Sequence, residues 1–185
     1  MRFSDIAGYT SIKKQLIQAA RNGQVAHAQL FFGPDASPNL PMALAFATYL
    51  NCENPGEEDA CGVCSSCSKN SKFVHPDLHF VFPVSATKKV KSKDAISQTF
   101  LPDWRTFLLE QPFGDLSMWS SYYGGEDKQV NISKEESRQI IRNLSLKSFE
   151  GKYKIMLIWL PEYLHRFAAN GILKILEEPP DNTIF

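Results

Sequence analysis

The first third of the chain alternates between amphipathic stretches and compact apolar runs. Residues 10–20 place apolar side chains on one side at helical spacing, which predicts a short helix. Residues 27–32 form an apolar run halted by Gly33, which predicts a strand buried in a parallel sheet. Residues 41–50 are rich in Ala and Leu, and they predict a helix with Pro41 in its first turn. The opening is therefore helix, strand, loop, helix.

The alternation returns further along the chain. Residues 77–82 predict a second strand. Ser133 and Glu136 have the spacing of a capping box at the start of an amphipathic helix that reaches about residue 147. Residues 153–160 carry the strongest strand pattern of the sequence and predict a central strand.

The last elements complete an α/β pattern. A helix is expected from about residue 163 to residue 176, and residues 182–185 begin what resembles a further strand, so the sequence is expected to be a fragment cut inside an element. Strands that alternate with helices favour a single α/β domain over residues 1–185, with a mostly parallel sheet covered on both faces.

Residues from about 85 to 128 do not follow this alternation. They combine an aromatic stretch, the breaker Gly124–Gly125 and a basic run, which consists of Lys88, Lys89, Lys91 and Lys93. We interpret this stretch as an insertion and predict no firm elements within it.

Composition excludes several classes of protein. The chain has 185 residues, of which 43% are hydrophobic and 22% charged, so it is long enough for one sizeable core. Twenty basic residues balance twenty acidic ones, which implies no bulk attraction to nucleic acid or to an anionic membrane. No stretch approaches the ~20 apolar residues of a membrane span, and the first residues lack a signal-peptide pattern. We therefore expect a cytoplasmic protein without a membrane partner.

Four cysteines lie in one short window, and in a reducing compartment they favour a metal over disulfides. The ligands would be Cys52, Cys61, Cys64 and Cys67. Four thiolates clustered through Cys-x2-Cys turns predict a structural zinc with no open coordination position. An iron–sulfur cluster or metal-free cysteines are the alternatives. His75 and His79 flank this zinc module (residues 52–67) and are interpreted as turn and strand residues.

The loop after the first predicted strand has the context of a phosphate-binding loop without its chemistry. The eight residues from Gly33 to Leu40 align with the pattern G-x-x-x-x-G-K-[ST]. Pro38 replaces a glycine and has no N–H to donate, Asn39 replaces the lysine, and Leu40 cannot ligate Mg²⁺. Asp35 would add a carboxylate that repels phosphate.

The end of the central strand lacks acidic residues as well. Phosphate-loop ATPases hold Mg²⁺ and the attacking water with acids there, whereas this chain has Trp159 and Leu160. Glu162 falls beyond the strand and is interpreted as a capping or surface residue. We predict no nucleotide hydrolysis, while weak nucleotide binding at the helix N-terminus stays open.

A longer motif points to a family. Residues 170–180, read NGILKILEEPP, closely resemble the N-A-L-L-K-x-L-E-E-P-P signature of the bacterial clamp-loader ATPase family. The residues His27–Ala28, the inserted four-cysteine module and His75–Pro76–Asp77 also resemble that family. The resemblance covers nearly the whole chain except residues 85–128, and it implies a P-loop NTPase-like (AAA+) domain.

The resemblance also implies a function. Motor members of the family keep the Lys-[ST] and Asp-Glu pairs that this chain lacks, so the sequence is similar to the non-hydrolysing members. Such a subunit is a rigid partner of the motor subunits (gamma or tau) and of delta, in a loader that places a sliding clamp on primed DNA. The family's lid and collar domains, and its Ser-Arg-Cys arginine-finger motif, would lie beyond Phe185.

The helix predicted from about residue 163 to residue 178 is the candidate partner surface. We expect its apolar positions to face the sheet, namely Leu164, Phe167, Ala168, Ile172 and Leu176. Arg166, Asn170 and Lys174 are spaced four apart on the opposite stripe, and the resemblance places them against the ATP site of a neighbouring motor subunit. An ordinary solvated helix face is the alternative.

Two other functions stay open. One is an active ATPase of the motor type with an unorthodox loop, whose lysine would come from Lys72 or Lys174. The other is a zinc-dependent DNA-binding module that uses the basic run at 88–93. Nucleotide turnover tests the first, and salt-dependent DNA affinity tests the second.

Overall fold

The computed structural model describes residues 1–34, 37–125 and 128–185. Its helices are α1 (Thr10–Arg21), α2 (Asn39–Leu50), α3 (Ser65–Asn70), α4 (Leu101–Glu110), α5 (Leu116–Tyr123), α6 (Lys134–Ser145) and α7 (Arg166–Glu177). Its strands are β1 (Leu78–Val81), β2 (Lys154–Ile158) and β3 (Thr183–Ile184). Short 3-10 turns occur at Phe3–Asp5, Ser92–Asp94 and Pro161–Tyr163. The expected α/β class with a parallel sheet is confirmed.

The sheet is parallel, in the order β1-β2-β3. Successive side chains of a strand point to opposite faces of the sheet, so neighbouring residues of one strand pack against different helices. Ile155 and Leu157 of β2 join the large core that includes α2, whereas Met156 joins a smaller core with Ile140 of α6 and Ile172 of α7. The predicted central strand is thus confirmed, and both of its faces are buried.

Residues 27–32 lie at the edge of this sheet, beside the end of β3. The N–H of Phe185 donates to the carbonyl of His27 at 2.7 Å, and the N–H of Gln29 donates to the carbonyl of Phe185 at 2.9 Å, which is the pattern of a parallel ladder. No regular strand forms here, and the prediction of a buried strand is wrong. Leu30 and Phe32 are 70% and 81% exposed. Phe31 packs towards Phe46 of α2, with ring centroids 6.4 Å apart, whereas Leu30 and Phe32 alternate to the opposite face and stay exposed.

The described part of the stretch at 85–128 contributes to the core. Helices α4 and α5 bring in Trp104 and Trp119, which are both 0% exposed. Trp104 stacks on Phe82 with ring centroids 4.3 Å apart, and the indole N–H of Trp119 donates to the carbonyl of Pro83 at 2.9 Å. This insertion therefore covers the continuation of β1 with aromatic side chains.

The expected capping box at α6 is wrong. Ser133 does occupy the N-cap, but its hydroxyl makes no cap hydrogen bond. Glu136 is 2% exposed and turns inward, where its carboxylate accepts the N–H of Ser97. The hydroxyl of Ser97 bonds in turn to the backbone of Phe82. Glu136 therefore joins α6 to the insertion instead of closing its own helix, and burial raises the pKa of its carboxyl group.

Helix α7 buries a narrower stripe than its sequence predicts. Ala168 and Ile172 are buried and face α6, whereas Phe167 is 59% exposed, which contradicts its expected position against the sheet. Its neighbours His165 and Arg166 approach its ring instead, at 5.3 and 5.4 Å. The physical reason is rotation about the helix, because Phe167 lies about 100° round the axis from Ala168.

Candidate functional site

The four cysteines converge at one end of α2. Cys52 follows that helix, Cys61 and Cys64 lie in the next loop, and Cys67 lies in α3. All four sulfur atoms lie within 4.8 Å of one another, and Sγ of Cys61 and Sγ of Cys67 are 3.9 Å apart. Four thiolates held tetrahedrally about 2.3 Å from a zinc ion would be about 3.8 Å apart. The cluster could hold a metal ion of this kind.

Backbone N–H groups point at three of these sulfurs. The N–H of Cys61 donates to Sγ of Cys52 at 3.2 Å. The N–H groups of Cys64 and Cys67 donate to Sγ of Cys61 and Cys64, each at 3.4 Å. Gly62 adopts a φ of +76° between the ligands, a conformation that L residues rarely adopt. The turn thus aims donors at groups that become negatively charged when a metal binds.

The sulfurs sit in different electrostatic surroundings. Backbone N–H groups of Val63 and Cys64 lower the pKa of the Cys61 thiol to about 6. Burial raises the pKa of the Cys52 and Cys67 thiols. A metal ion must therefore displace protons from the two buried thiols, which makes metal binding weaker at low pH.

The described residues of the loop at Gly33–Leu40 offer few free donors at the start of α2. Pro38 is the N-cap and Pro41 lies in the first turn, and neither has an N–H. The N–H of Asn39 donates to the carbonyl of Ser37 at 2.9 Å. A helix N-terminus binds phosphate through free N–H groups, and this one has lost most of them. Asp35, whose carboxylate was expected to repel phosphate, lies outside the described residues.

A cleft of about 760 Å³ lies between this loop, the edge segment 28–34 and the end of β2. Trp159 and Leu160 form the strand end, and Trp159 contacts Trp104 with ring centroids 5.0 Å apart. Among the described residues that line the cleft, the charged ones are Asp115 and Glu162. No lysine, arginine or histidine is among them, and neither Lys72 nor Lys174 reaches the cleft. The charged groups of the described lining are therefore acidic.

The candidate partner face is exposed. Arg166, Asn170 and Lys174 are accessible along α7, and neither basic residue forms an ion pair within the part of the chain that the structure describes. Their side chains are therefore available to an external anion.

Sequence reasoning missed the hydrogen bonds that join the segments directly before β1 and β2. The carboxylate of Asp77 accepts the N–H groups of Phe149, Glu150 and Gly151 at 2.7–2.9 Å. These bonds outweigh burial and lower the pKa of Asp77. The motif His75–Pro76–Asp77 predicts a turn into a strand and resembles the family, but it does not indicate which groups Asp77 binds.

A parallel sheet covered on both faces, a loop with a phosphate-loop context and a four-cysteine module define an AAA+ domain of the clamp-loader type. The chain belongs to the family described as DNA polymerase III, delta subunit, whose model matches residues 8–185.

Relatives of two kinds are similar to the chain. It is 24% identical over 183 residues to DNA polymerase III subunit tau of Escherichia coli, covering 99% of the chain and 22% of that protein. It is 27% identical over 174 residues to subunit delta' of Yersinia pestis, covering 93% and 38%. The delta' subunit of Pseudomonas aeruginosa is 23% identical over 167 residues, covering 90% and 38%. The chain thus spans well under half the length of these relatives.

No helix in the described ranges is long and apolar enough to cross a membrane.

Proposed function

We propose that this chain is the N-terminal domain of a non-hydrolysing subunit of the delta' type, which helps the bacterial DNA polymerase III clamp loader place the sliding clamp on primed DNA. The observation that carries the proposal is the cleft beside the degenerate loop, whose charged lining is acidic. Similarity alone does not separate the two kinds of relative, because tau and delta' match at 24% and 27% identity.

Three features of the cleft support the loss of ATP chemistry. The loop has no lysine to neutralise the γ-phosphate, and it has prolines at the N-cap and in the first turn of α2, where other residues would donate N–H groups. The strand end offers Trp159 and Leu160 where Mg²⁺ needs carboxylates. These losses affect separate steps, phosphate binding and water activation, so repairing one leaves the other.

The cysteine cluster supports a structural zinc. The four sulfurs are spaced for a tetrahedral ion, and a fully thiolate-bound zinc leaves no position for a substrate. Zinc bound there would contribute to folding of residues 52–67.

The exposed stripe on α7 supports a contact with a motor subunit. Arg166 and Lys174 lie on a helix, form no ion pair with the described residues, and carry charges that suit the phosphates or acidic groups of a neighbour's ATP site. The partners would be the gamma or tau and delta subunits, with the clamp and primed DNA reached through the complex.

ATP turnover tests the catalytic half of the proposal. We expect no magnesium-dependent hydrolysis by the purified chain, and none after Asn39→Lys with Leu40→Thr, because Pro38 and the strand end still lack the required groups. Magnesium-dependent hydrolysis by the unmutated chain that is abolished by a change within residues 33–40 would contradict the proposal.

Reconstitution tests the partner half. Arg166→Glu with Lys174→Glu, introduced into the complete subunit, should lower assembly with the motor subunits and the DNA-stimulated ATPase of the complex. Lys14→Glu with Lys72→Glu is the matched control, because it makes the same charge change at exposed positions on other surfaces. Equal assembly of both variants would mean that α7 is not the contact.

A further inference from the structure

The first residues of the chain lie against the cysteine module. Phe3 is 1% exposed, and its ring contacts that of Tyr49 at 6.0 Å between centroids. The hydroxyl of Tyr49 donates to the carbonyl of Gly56, at the entrance to the module, at 2.9 Å. The N-terminal segment, residues 1–6, is therefore packed where α2 leads into the module.

One carboxylate joins this segment to the metal ligands. Asp59 accepts the N–H of Phe3 at 3.0 Å and the N–H of Ser4 at 2.8 Å, one with each oxygen. It also accepts the N–H of Ala60 at 2.8 Å, and Ala60 directly precedes the ligand Cys61. Charge-assisted bonds of this kind are about twice as strong as neutral ones.

Arg2 makes a second contact with the module. A Cβ built on Gly62 would lie 2.9 Å from Nη1 of Arg2, so the guanidinium lies directly over the turn between Cys61 and Cys64. The N-terminal segment thus meets the ligand turn through Arg2 as well as through Asp59.

We propose that Asp59 is a positioning residue of the metal centre, and that it couples metal binding to the order of the N-terminal segment. The inference rests on the metal binding proposed above. A metal held by Cys61 fixes the backbone beside Asp59, which then holds Phe3 and Ser4. Because such coupling is reciprocal, an ordered N-terminal segment must raise the affinity for the metal by the same factor.

The first experiment measures zinc affinity by competition with a chromophoric chelator. Asp59→Asn keeps the shape of the side chain but removes the charge and one acceptor, and we expect affinity about tenfold lower, as for other residues that orient metal ligands. Glu58→Gln is the matched control, since Glu58 is the adjacent exposed carboxylate, and its affinity should change less than about twofold. Far-UV circular dichroism checks that both variants keep the sheet.

The second experiment separates coupling from a general loss of structure. Deleting residues 2–5 should also weaken zinc binding about tenfold, because it removes the hydrogen bonds that Phe3 and Ser4 donate to Asp59. Adding Asp59→Asn to the deletion should then cost less than about threefold, since effects of groups in direct contact are not additive. Fully additive losses would overturn the proposal.

The third experiment uses the unmutated chain. Zinc should slow hydrogen exchange of the Phe3 and Ser4 amides at least about tenfold compared with chelator-treated protein. Equal exchange in both states, or unchanged zinc affinity of Asp59→Asn, would overturn the coupling alone. A chain that takes up no zinc would overturn the proposed metal and the coupling together.

Discussion

The contact between α6 and α7 leaves little room for a side chain at Gly171 of α7. A Cβ at this position would lie 2.9 Å from Oγ and 3.0 Å from Cβ of Ser137. Ser137 is 7% exposed, and its hydroxyl donates to the carbonyl of Lys134 at 2.7 Å, so it cannot simply turn away. The family signature has alanine at the position of Gly171, which makes Gly171→Ala an informative change.

Two effects of Gly171→Ala oppose each other. Alanine in a helix interior is favoured over glycine by about 1 kcal/mol. Carbon atoms pack best at 3.5–4.0 Å, so the new methyl group must move Ser137 or the helix by about 0.5 Å, and overpacking of this kind costs about 1–3 kcal/mol. We expect a net loss of about 1 kcal/mol in the free energy of unfolding, or about 2–4 °C in Tm.

A double-mutant cycle with Ser137→Gly isolates the steric term. With that side chain removed, Gly171→Ala should stabilise the protein by about 1 kcal/mol, which gives a coupling energy of about 2 kcal/mol. Urea unfolding of the four proteins measures it. If Gly171→Ala stabilises the unmutated background, or the coupling is below about 0.5 kcal/mol, the helices do not constrain this position as argued.

Three further changes have defined outcomes. Cys64→Ser should abolish stoichiometric zinc binding and release residues 52–67 to rapid amide exchange, while circular dichroism of the sheet persists. Asp77→Asn should cost about 2 kcal/mol at pH 7 in urea unfolding. Because the pKa of Asp77 is lowered, its carboxylate contributes to the free energy of unfolding above about pH 3.8, and this contribution is lost as the pH falls through the folded-state pKa. The cost of Asp77→Asn should therefore vanish in acid. Glu136→Gln should have the opposite pH dependence. Because burial raises the pKa of Glu136, ionisation of its carboxyl group lowers the free energy of unfolding as the pH rises through the folded-state pKa, so the variant should gain stability relative to the unmutated chain. A stability difference that does not change with pH would contradict this.

Local pattern was sufficient where burial follows directly from periodicity. The strand at β2 is apolar on both faces because helices cover both, and its run of residues in the sequence shows this without any knowledge of the neighbours. The cysteine spacing was equally informative, since ligands joined by Cys-x2-Cys turns must lie close together.

Pattern failed where a distant part of the chain supplies the partner. Glu136 has the spacing of a helix cap, yet Ser97 competes for its carboxylate, and 39 residues separate the two. The insertion looked irregular because Trp104 and Trp119 pack on Phe82, which no local period can show. The edge segment at 27–32 has the composition of a buried strand, but the exposure of Leu30 and Phe32 depends on which other elements cover their face.

The cleft beside the degenerate loop combines features that residue types predict with features that depend on the tertiary fold. Replacement of a lysine by Asn39 and of a glycine by Pro38 removes charge and donors whatever the surrounding structure, so the proposed loss of ATP chemistry could be argued from residue types. The wall of the cleft could not be predicted from residue types, because Phe113 and Asp115 belong to the insertion and line the cleft through the packing of α4 and α5. That wall adds a carboxylate where a triphosphate would need cations. Under the proposed function, a working ATP site would therefore require changes in the loop, at the end of β2 and in the insertion together.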